Sequence, residues 1–172
     1  EVTKEKYAFD KIYCFEPSIY CIDDLKKFAD QDHRITICDF GLSNKNQDAE
    51  LFQPGSLGGT IIQGQTHDLG KEHDVTFRDD RKVERIKLHD ANEWFKENIN
   101  PDDYIVVKTN CEGSEVDILD SLIDGNFMKN IYSFLVTFDI REHKAYQYRE
   151  IEIRKKLKKE VNKNFCFSDD VM

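Results

Sequence analysis

The sequence predicts an α/β fold built on a largely parallel sheet, and two observations predict it. Short runs typical of β-strands alternate with helical patterns along the chain. One of these runs, "DYIVVKT" at 103–109, is nearly apolar on both faces, as expected of a central strand that is covered on both sides. With 172 residues, of which 39% are hydrophobic, we expect a single domain over residues 1–172 with a substantial core.

The first forty residues supply two predicted strands and one helix. The runs "KIYCF" (11–15) and "RITICDF" (34–40) are rich in the β-branched and aromatic side chains that favour strands. Between them, Pro17 is placed to start a helix, and Ile22 and Leu25 begin its apolar face.

Residues 41 to 82 follow a weaker pattern. "DAELFQ" (48–53) is compatible with a strand and "PGSLGGT" (54–60) with a turn, while residues 65–74 are polar without a clear period. We therefore expect one strand here, followed by loops.

The second half of the chain returns to a regular alternation. Asp90 is placed to cap one helix, and Val116, Leu119 and Leu122 form the apolar stripe of another. The predicted order is a strand at 83–88, a helix at 89–99, a strand at 104–109, a helix ended by Gly125, a strand at 131–140, a helix at 145–161 and a last strand at 164–168.

The charge of the chain limits its partners. A net charge of −9 with 34% charged residues argues against nonspecific attraction to nucleic acid or to anionic lipid. No window is apolar enough for a membrane span, and the charged N-terminus does not resemble a signal peptide. We expect a cytoplasmic protein with no nucleic-acid or membrane partner.

The cysteines do not form a recognisable framework. They are odd in number, scattered and never spaced as C-x-x-C, which argues against a disulfide framework or a zinc cluster. Cys14 and Cys38 are interpreted as small apolar residues inside strands.

Polar and acidic residues follow three of the predicted strands. They are Glu16 after the first, Lys108, Asn110 and Glu112 around the end of the strand at 104–109, and Asp139 at the end of the strand at 131–140, with Arg141, Glu142 and His143 just beyond it. Ligands of such sheets bind at the carboxyl ends of the strands. A carboxylate like that of Glu16 can accept hydrogen bonds from both hydroxyls of a ribose, which makes it the strongest ligand candidate.

Five segments of the chain form an ordered set with characteristic spacing. They are "IYCFEPS" (12–18), "ITICDFGLSN" (35–44), "VERIKLHDANEWF" (83–95), "YIVVKTNCEGSEVDIL" (104–119) and "FLVTFDIREH" (134–143). In order and spacing they resemble the FkbM-type S-adenosylmethionine-dependent methyltransferases, and the most specific parts are F-E-P and K-x-[DN]-x-E-G-x-E-x-x-x-L. The resemblance covers roughly residues 11–143.

The resemblance implies a Rossmann-like methyltransferase sheet, mostly parallel with helices on both faces, and S-adenosyl-L-methionine as cofactor. The implied reaction is O-methylation of a sugar, a glycan or a small metabolite. Glu16 would hold the ribose, and the adenine would lie against the segment Asp39, Phe40, Gly41 and Leu42. The candidates that face the methyl group and the acceptor are Lys108, Asn110 and Glu112, with His143 as a further catalytic candidate and Asn110 also near the cofactor.

Two features depart from the family pattern. The usual residue at the [DN] position of the pattern is aspartate, where this chain has Asn110, and an amide orients a ligand but accepts a proton poorly. The family also begins with a strand and a D-x-G-x-N-x-G turn, which have no counterpart here. We therefore expect the first strand, between those ending at Glu16 and Lys108, to be missing through truncation at the N-terminus. We also expect the chain to end within the usual last hairpin.

Each singled-out group also has a structural interpretation. Glu16 could accept backbone N–H bonds at a helix N-terminus, Glu112 and Glu115 could stabilise a helix start, and Lys108 could extend toward water. A histidine after a strand, such as His143, is more often a surface residue than a general base or metal ligand.

Two other functions remain open at this stage. A degenerate, non-catalytic methyltransferase-like domain that binds or scaffolds is favoured by Asn110 and by the absent glycine turn. A nicotinamide-dependent oxidoreductase is disfavoured, because the sequence has no G-x-G-x-x-G.

Overall fold

The computed structural model describes residues 9–56, 58–63, 83–140, 144–160 and 165–167. The predicted polar segment 65–74 and the candidate residue His143 lie outside these ranges. None of the helices in the described ranges is long and apolar enough to cross a membrane.

Strands and helices alternate as the sequence predicts. The strands are β1 (Ile12–Phe15), β2 (Ile35–Cys38), β3 (Gly41–Ser43), β4 (Gln47–Phe52), β5 (Val83–Asp90), β6 (Ile105–Thr109), β7 (Ile131–Val136) and β8 (Phe165–Phe167). The helices are α1 (Ile19–Ala29), α2 (Ala91–Asn98), α3 (Glu115–Asp124) and α4 (Lys144–Glu160), with a 3-10 turn at Met128–Asn130. The short strand β3 has no counterpart among the predicted elements.

The strands of the described residues pair in three sheets. β1 pairs with β2, and β6, β7 and β8 lie side by side, with parallel pairing throughout both sheets. β5 is the centre of a mixed sheet, parallel to β3 and antiparallel to β4. The α/β class with parallel strands is therefore confirmed, whereas the antiparallel pairing of β4 departs from the predicted pattern.

β1 and β6 are not paired with each other in the described part of the chain. Each bonds to a neighbour on one side only, β1 to β2 and β6 to β7. The described residues contribute no strand between them, so both strands carry an edge without ladder bonds. Edge groups of this kind favour pairing with a further strand.

The larger of two hydrophobic clusters among the described residues takes members from all three sheets. Phe134 of β7 and Leu119 of α3 are buried in it, and Trp94 of α2 lies in the same cluster. The rings of Tyr13 and Phe15, both from β1, meet the Trp94 ring edge-on at centroid distances of 5.0 and 4.7 Å. β1 is thus fixed to the core by aromatic packing as well as by its ladder with β2.

Local sequence explains where two helices begin and end. The side chain of Asp90 accepts the backbone N–H of Glu93 at 2.9 Å, which confirms the predicted cap of α2. Gly125 ends α3 with a φ of −77°, and the left-handed residue is Asn126, with a φ of 57°. A Cβ on Gly125 would lie 2.0 Å from the end of the Asn92 side chain, so Asn92 would have to move to admit a larger residue there.

Candidate functional site

Glu16 follows β1 directly and lies beside the end of β2. Its backbone N–H donates to the carbonyl of Cys38, the last residue of β2, at 3.0 Å. Its Oε1 accepts the backbone N–H of Ser18 at 2.8 Å, the structural role that a helix N-terminus often gives to an acid. Within the described residues no hydrogen bond reaches its Oε2. One carboxylate oxygen is therefore available to a ligand hydroxyl.

A second carboxylate holds the same helix start. Glu84 of β5 accepts the backbone N–H of Ile19 with Oε1 and the hydroxyl of Ser18 with Oε2, both at 2.8 Å. The pKa of Glu16 is raised above its ordinary value, mainly by burial and also by the Glu84 carboxylate, and the bond from the Ser18 N–H opposes this change. The two acids favour hydroxyl donors at the end of β1 and disfavour a phosphate.

The predicted adenine segment offers side chains at its start and backbone at its end. Asp39 is exposed, and the Phe40 ring stacks on His89 with centroids 4.1 Å apart. Gly41 lies so close to a core side chain that an added Cβ would be 2.7 Å from it, and Leu42 is packed in the core. Only Asp39 and the free parts of Phe40 can meet a ligand with side-chain atoms.

Lys108 and Asn110 lie at the carboxyl end of β6, and both are exposed. The carbonyl of Thr109 accepts the backbone N–H of Thr137 at 3.0 Å, which brings the ends of β6 and β7 together. The two exposed side chains, one cationic and one amide, can donate hydrogen bonds to an oxygen-rich ligand.

The turn after β6 is held in an uncommon conformation. Glu112 has a φ of 52° and Gly113 a φ of 100°, and left-handed backbone at a residue other than glycine carries strain. The side chain of Glu112 is buried, in contrast to the exposed Asn110. The backbone of Glu112 shapes this turn, while its carboxylate has little exposure to a ligand.

Glu115 of α3 holds the turn in place. Its carboxylate is fully buried and accepts the backbone N–H of Cys111 with Oε1 and that of Gly113 with Oε2, the latter at 2.9 Å. The pKa of Glu115 is raised above its ordinary value, mainly by burial and also by the Asp139 carboxylate, and the bonds from backbone N–H groups oppose this change. The structural interpretation of Glu115 is confirmed, since it organises the backbone at the start of α3.

One loop contacts both α1, which follows Glu16, and the turn after β6, which contains Asn110 and Glu112. We call residues 53–56 and 58–62 the crossing loop. Gly55, with a φ of 75°, packs so tightly on Tyr20 of α1 that an added Cβ would lie 2.9 Å from the Tyr20 Cβ. At its other end, the hydroxyl of Thr60 donates to the carbonyl of Glu112 at 2.8 Å. Gly55 and Thr60 are five positions apart, so their Cα atoms are at most about 18 Å apart. The loop therefore contacts the start of α1 and the turn after β6 at two points within this distance.

The sequence interpretation missed two contributors to this site and part of the role of a third. Glu84 and Thr60 act through contacts separated by more than fifty positions in sequence, which no local pattern signals. Glu115 was noticed only as an acid in a first helical turn. The G-x-E spacing within the motif, Gly113 to Glu115, is the signal for the bond from the glycine N–H to the Glu115 carboxylate.

A polar cavity of about 410 Å³ lies elsewhere on the described surface. It is lined by Asn44, Asp90, Asn92, Asp120, Ser121, Asp124 and Gly125, none of which belongs to the predicted site. Arg149 reaches the Asp120 carboxylate at 2.6 Å, and Lys156 lies 3.9 Å from both Asp120 and Asp124. These cations offset the charge of the cavity.

The thiols and carboxylates of the described residues show no sign of a metal centre. No group of three or more metal-ligating side chains occurs in these ranges. Burial raises the pKa of Cys38 to about 11 and that of Cys111 to about 12, so both remain protonated thiols at neutral pH. The interpretation of Cys38 as a small core residue is confirmed.

Comparison with protein-family models, with curated proteins and with solved structures found no match to this chain.

Proposed function

We propose that this chain is an S-adenosylmethionine-dependent O-methyltransferase domain of the FkbM type, acting on a hydroxyl of a sugar, glycan or small metabolite. The observation that carries the proposal is the position of Glu16. It stands at the carboxyl ends of the parallel strands β1 and β2, with Oε1 engaged by Ser18 and Oε2 available. A half-engaged carboxylate at this place suits the ribose of a nucleoside cofactor.

The pairing of the strands gives further support. β1 and β6 share a core, yet the described residues supply no ladder between them. The proposed fold has a central strand at this position, between the strands that end at Glu16 and at Lys108. In such a sheet both strands would pair with that central strand and not with each other, as in the described residues.

S-adenosylmethionine, when bound, supplies a methyl group on a sulfonium centre. Glu16 would accept hydrogen bonds from the ribose hydroxyls, and Asp39 with Phe40 would lie toward the adenine. Lys108 and Asn110 would orient the acceptor at the end of β6, and Asn110 would also contact the cofactor. Holding the two reactants in line accounts for much of the rate of such a transfer. Asn110 donates and accepts hydrogen bonds but does not take up the hydroxyl proton.

Calorimetric titration of the chain with S-adenosylhomocysteine and, separately, with NAD tests the proposal. We expect saturable binding of S-adenosylhomocysteine and none of NAD. Binding of NAD alone would support the oxidoreductase, and binding of neither would contradict both nucleotide functions.

A non-catalytic methyltransferase-like domain is the second candidate, and Asn110 favours it. The family pattern has a carboxylate at this exposed position, whereas the amide here is a weak base. Substituting Asn110→Asp distinguishes the two candidates once an acceptor pool is offered with radiolabelled S-adenosylmethionine. Methyl transfer by the unmodified chain supports the enzyme, while transfer by Asn110→Asp alone supports the degenerate domain.

A further inference from the structure

The crossing loop is an ordered part of the structure, tied to two places at the carboxyl ends of the strands. The hydroxyl of Ser56 donates to the carbonyl of Gln53 at 2.8 Å, and Phe52 exchanges two backbone hydrogen bonds with Thr60 at 2.8 and 3.1 Å. Thr60 is 1% exposed, and Ile62 is also buried. Its conformation is therefore fixed by its own hydrogen bonds and by burial.

Thr60 uses its hydroxyl in both directions. The oxygen accepts the backbone N–H of Ile62 at 3.1 Å, and the hydroxyl donates to the carbonyl of Glu112 at 2.8 Å. Glu115 holds the N–H groups on either side of Glu112, those of Cys111 and Gly113. The peptide groups around the left-handed Glu112 are thus fixed from two sides, by Glu115 and by the crossing loop.

We propose that Thr60 is a positioning residue that holds the turn after β6 so that Asn110 is presented to a bound S-adenosyl ligand. This inference rests on the proposed function. The Thr60 bond is one of the restraints that keep Glu112 at its φ of 52°, and Asn110 lies two residues earlier in the same turn, so loss of this bond should shift Asn110.

The test compares Thr60→Val, which keeps the shape but removes the hydroxyl, with Thr60→Ser, which keeps the hydroxyl. Affinity for S-adenosylhomocysteine is measured by calorimetry. We expect Thr60→Val to weaken binding about tenfold and Thr60→Ser to stay within about twofold of the unmodified chain. Ile153→Val serves as control, because it trims a buried core side chain of α4 and leaves the loop intact. It should lower the melting temperature without changing affinity.

A double-variant cycle separates positioning from general loosening of the fold. If Thr60 acts through Asn110, adding Thr60→Val to Asn110→Ala weakens binding no further than Asn110→Ala alone. Additive losses, or an unchanged affinity of Thr60→Val, would overturn the inference while leaving the proposed function in place. Absence of binding by the unmodified chain would instead overturn the proposed function, and this inference with it.

A measurement on the unmodified chain covers the case in which Thr60→Val does not fold. S-adenosylhomocysteine should slow amide hydrogen exchange at Cys111 and Gly113, the two N–H groups that flank Glu112. Unchanged exchange at both amides in the saturated protein would also overturn the inference.

Discussion

The buried carboxylate of Glu115, the first residue of α3, accepts the backbone N–H of Gly113 at 2.9 Å. Gly113 belongs to the turn that precedes this helix. A second bond from Cys111 completes the arrangement, so one side chain satisfies two donors of a turn that has little access to water. The strained backbone at Glu112 persists because this side chain and Thr60 hold both sides of it.

Glu115→Ala should lower the free energy of unfolding by about 2 to 4 kcal/mol, because two buried N–H groups lose their acceptor. Urea denaturation followed by circular dichroism measures the change. Glu97→Ala is the matched control, since Glu97 is an exposed residue of α2, and it should stay within about 0.5 kcal/mol. Equal effects of the two substitutions would show that the Glu115 carboxylate is not needed for the turn.

The stability of the chain should depend on pH through Glu115. Burial raises its pKa in the folded state above the ordinary value of 4.5, so the folded state binds the proton more tightly than the unfolded chain. This contribution is fully present below pH 4.5 and is lost as pH rises through the folded pKa. Comparison with Glu115→Gln across pH isolates it. The advantage of the unmodified chain should shrink as pH rises, and an advantage that grows would give the shift the opposite sign.

The core beneath the site should respond to truncation at Leu119. This residue of α3 is fully buried, and Leu119→Ala should cost about 2 to 5 kcal/mol through lost burial and a residual cavity. Ile151 of α4 is 51% exposed, and Ile151→Ala should cost far less. The pair is measured by denaturant unfolding, and similar losses at both positions would contradict the position of the core.

Gly55 and Gly59 provide a matched pair within the crossing loop. Gly55 has a φ of 75° and would bring an added Cβ within 2.9 Å of Tyr20, whereas the nearest atom to a Cβ on Gly59 is 3.4 Å away. Gly55→Ala should therefore destabilise the chain by about 1 to 2 kcal/mol, and Gly59→Ala by much less. Thermal unfolding measures both, and equal melting temperatures would mean that the loop does not pack on α1 as described.

The sequence predicted the elements well and their partnerships less well. The Asp90 cap located α2, and the apolar stripe that begins at Val116 located α3. Each signal lies within a few residues of the helix that it predicts. The antiparallel pairing of β4 with β5 depends on residues about forty positions apart, and β3 is only three residues long. Neither leaves a local pattern that sequence reasoning can detect.

The same distinction applies to the candidate site. The positions of Glu16, Lys108 and Asn110 at the ends of β1 and β6 were predictable, because polar residues at the end of an apolar run stand out against their neighbours. Their roles in ligand binding remain predictions. The buried side chain of Glu112 could not be predicted, because its left-handed backbone results from bonds made by Thr60 and Glu115. Tertiary contacts, rather than local propensity, decided which carboxylates remain open to a ligand.

Affinity for S-adenosylhomocysteine in Glu16→Ala, compared with Glu97→Ala, tests the central claim most directly. Removing a carboxylate that accepts ribose hydroxyls should weaken binding by about 1.5 to 3 kcal/mol, or more than tenfold, whereas the exposed Glu97 should have no effect. Circular dichroism confirms that both variants are folded. An affinity of folded Glu16→Ala equal to that of the unmodified chain would remove Glu16 from the site and contradict the account.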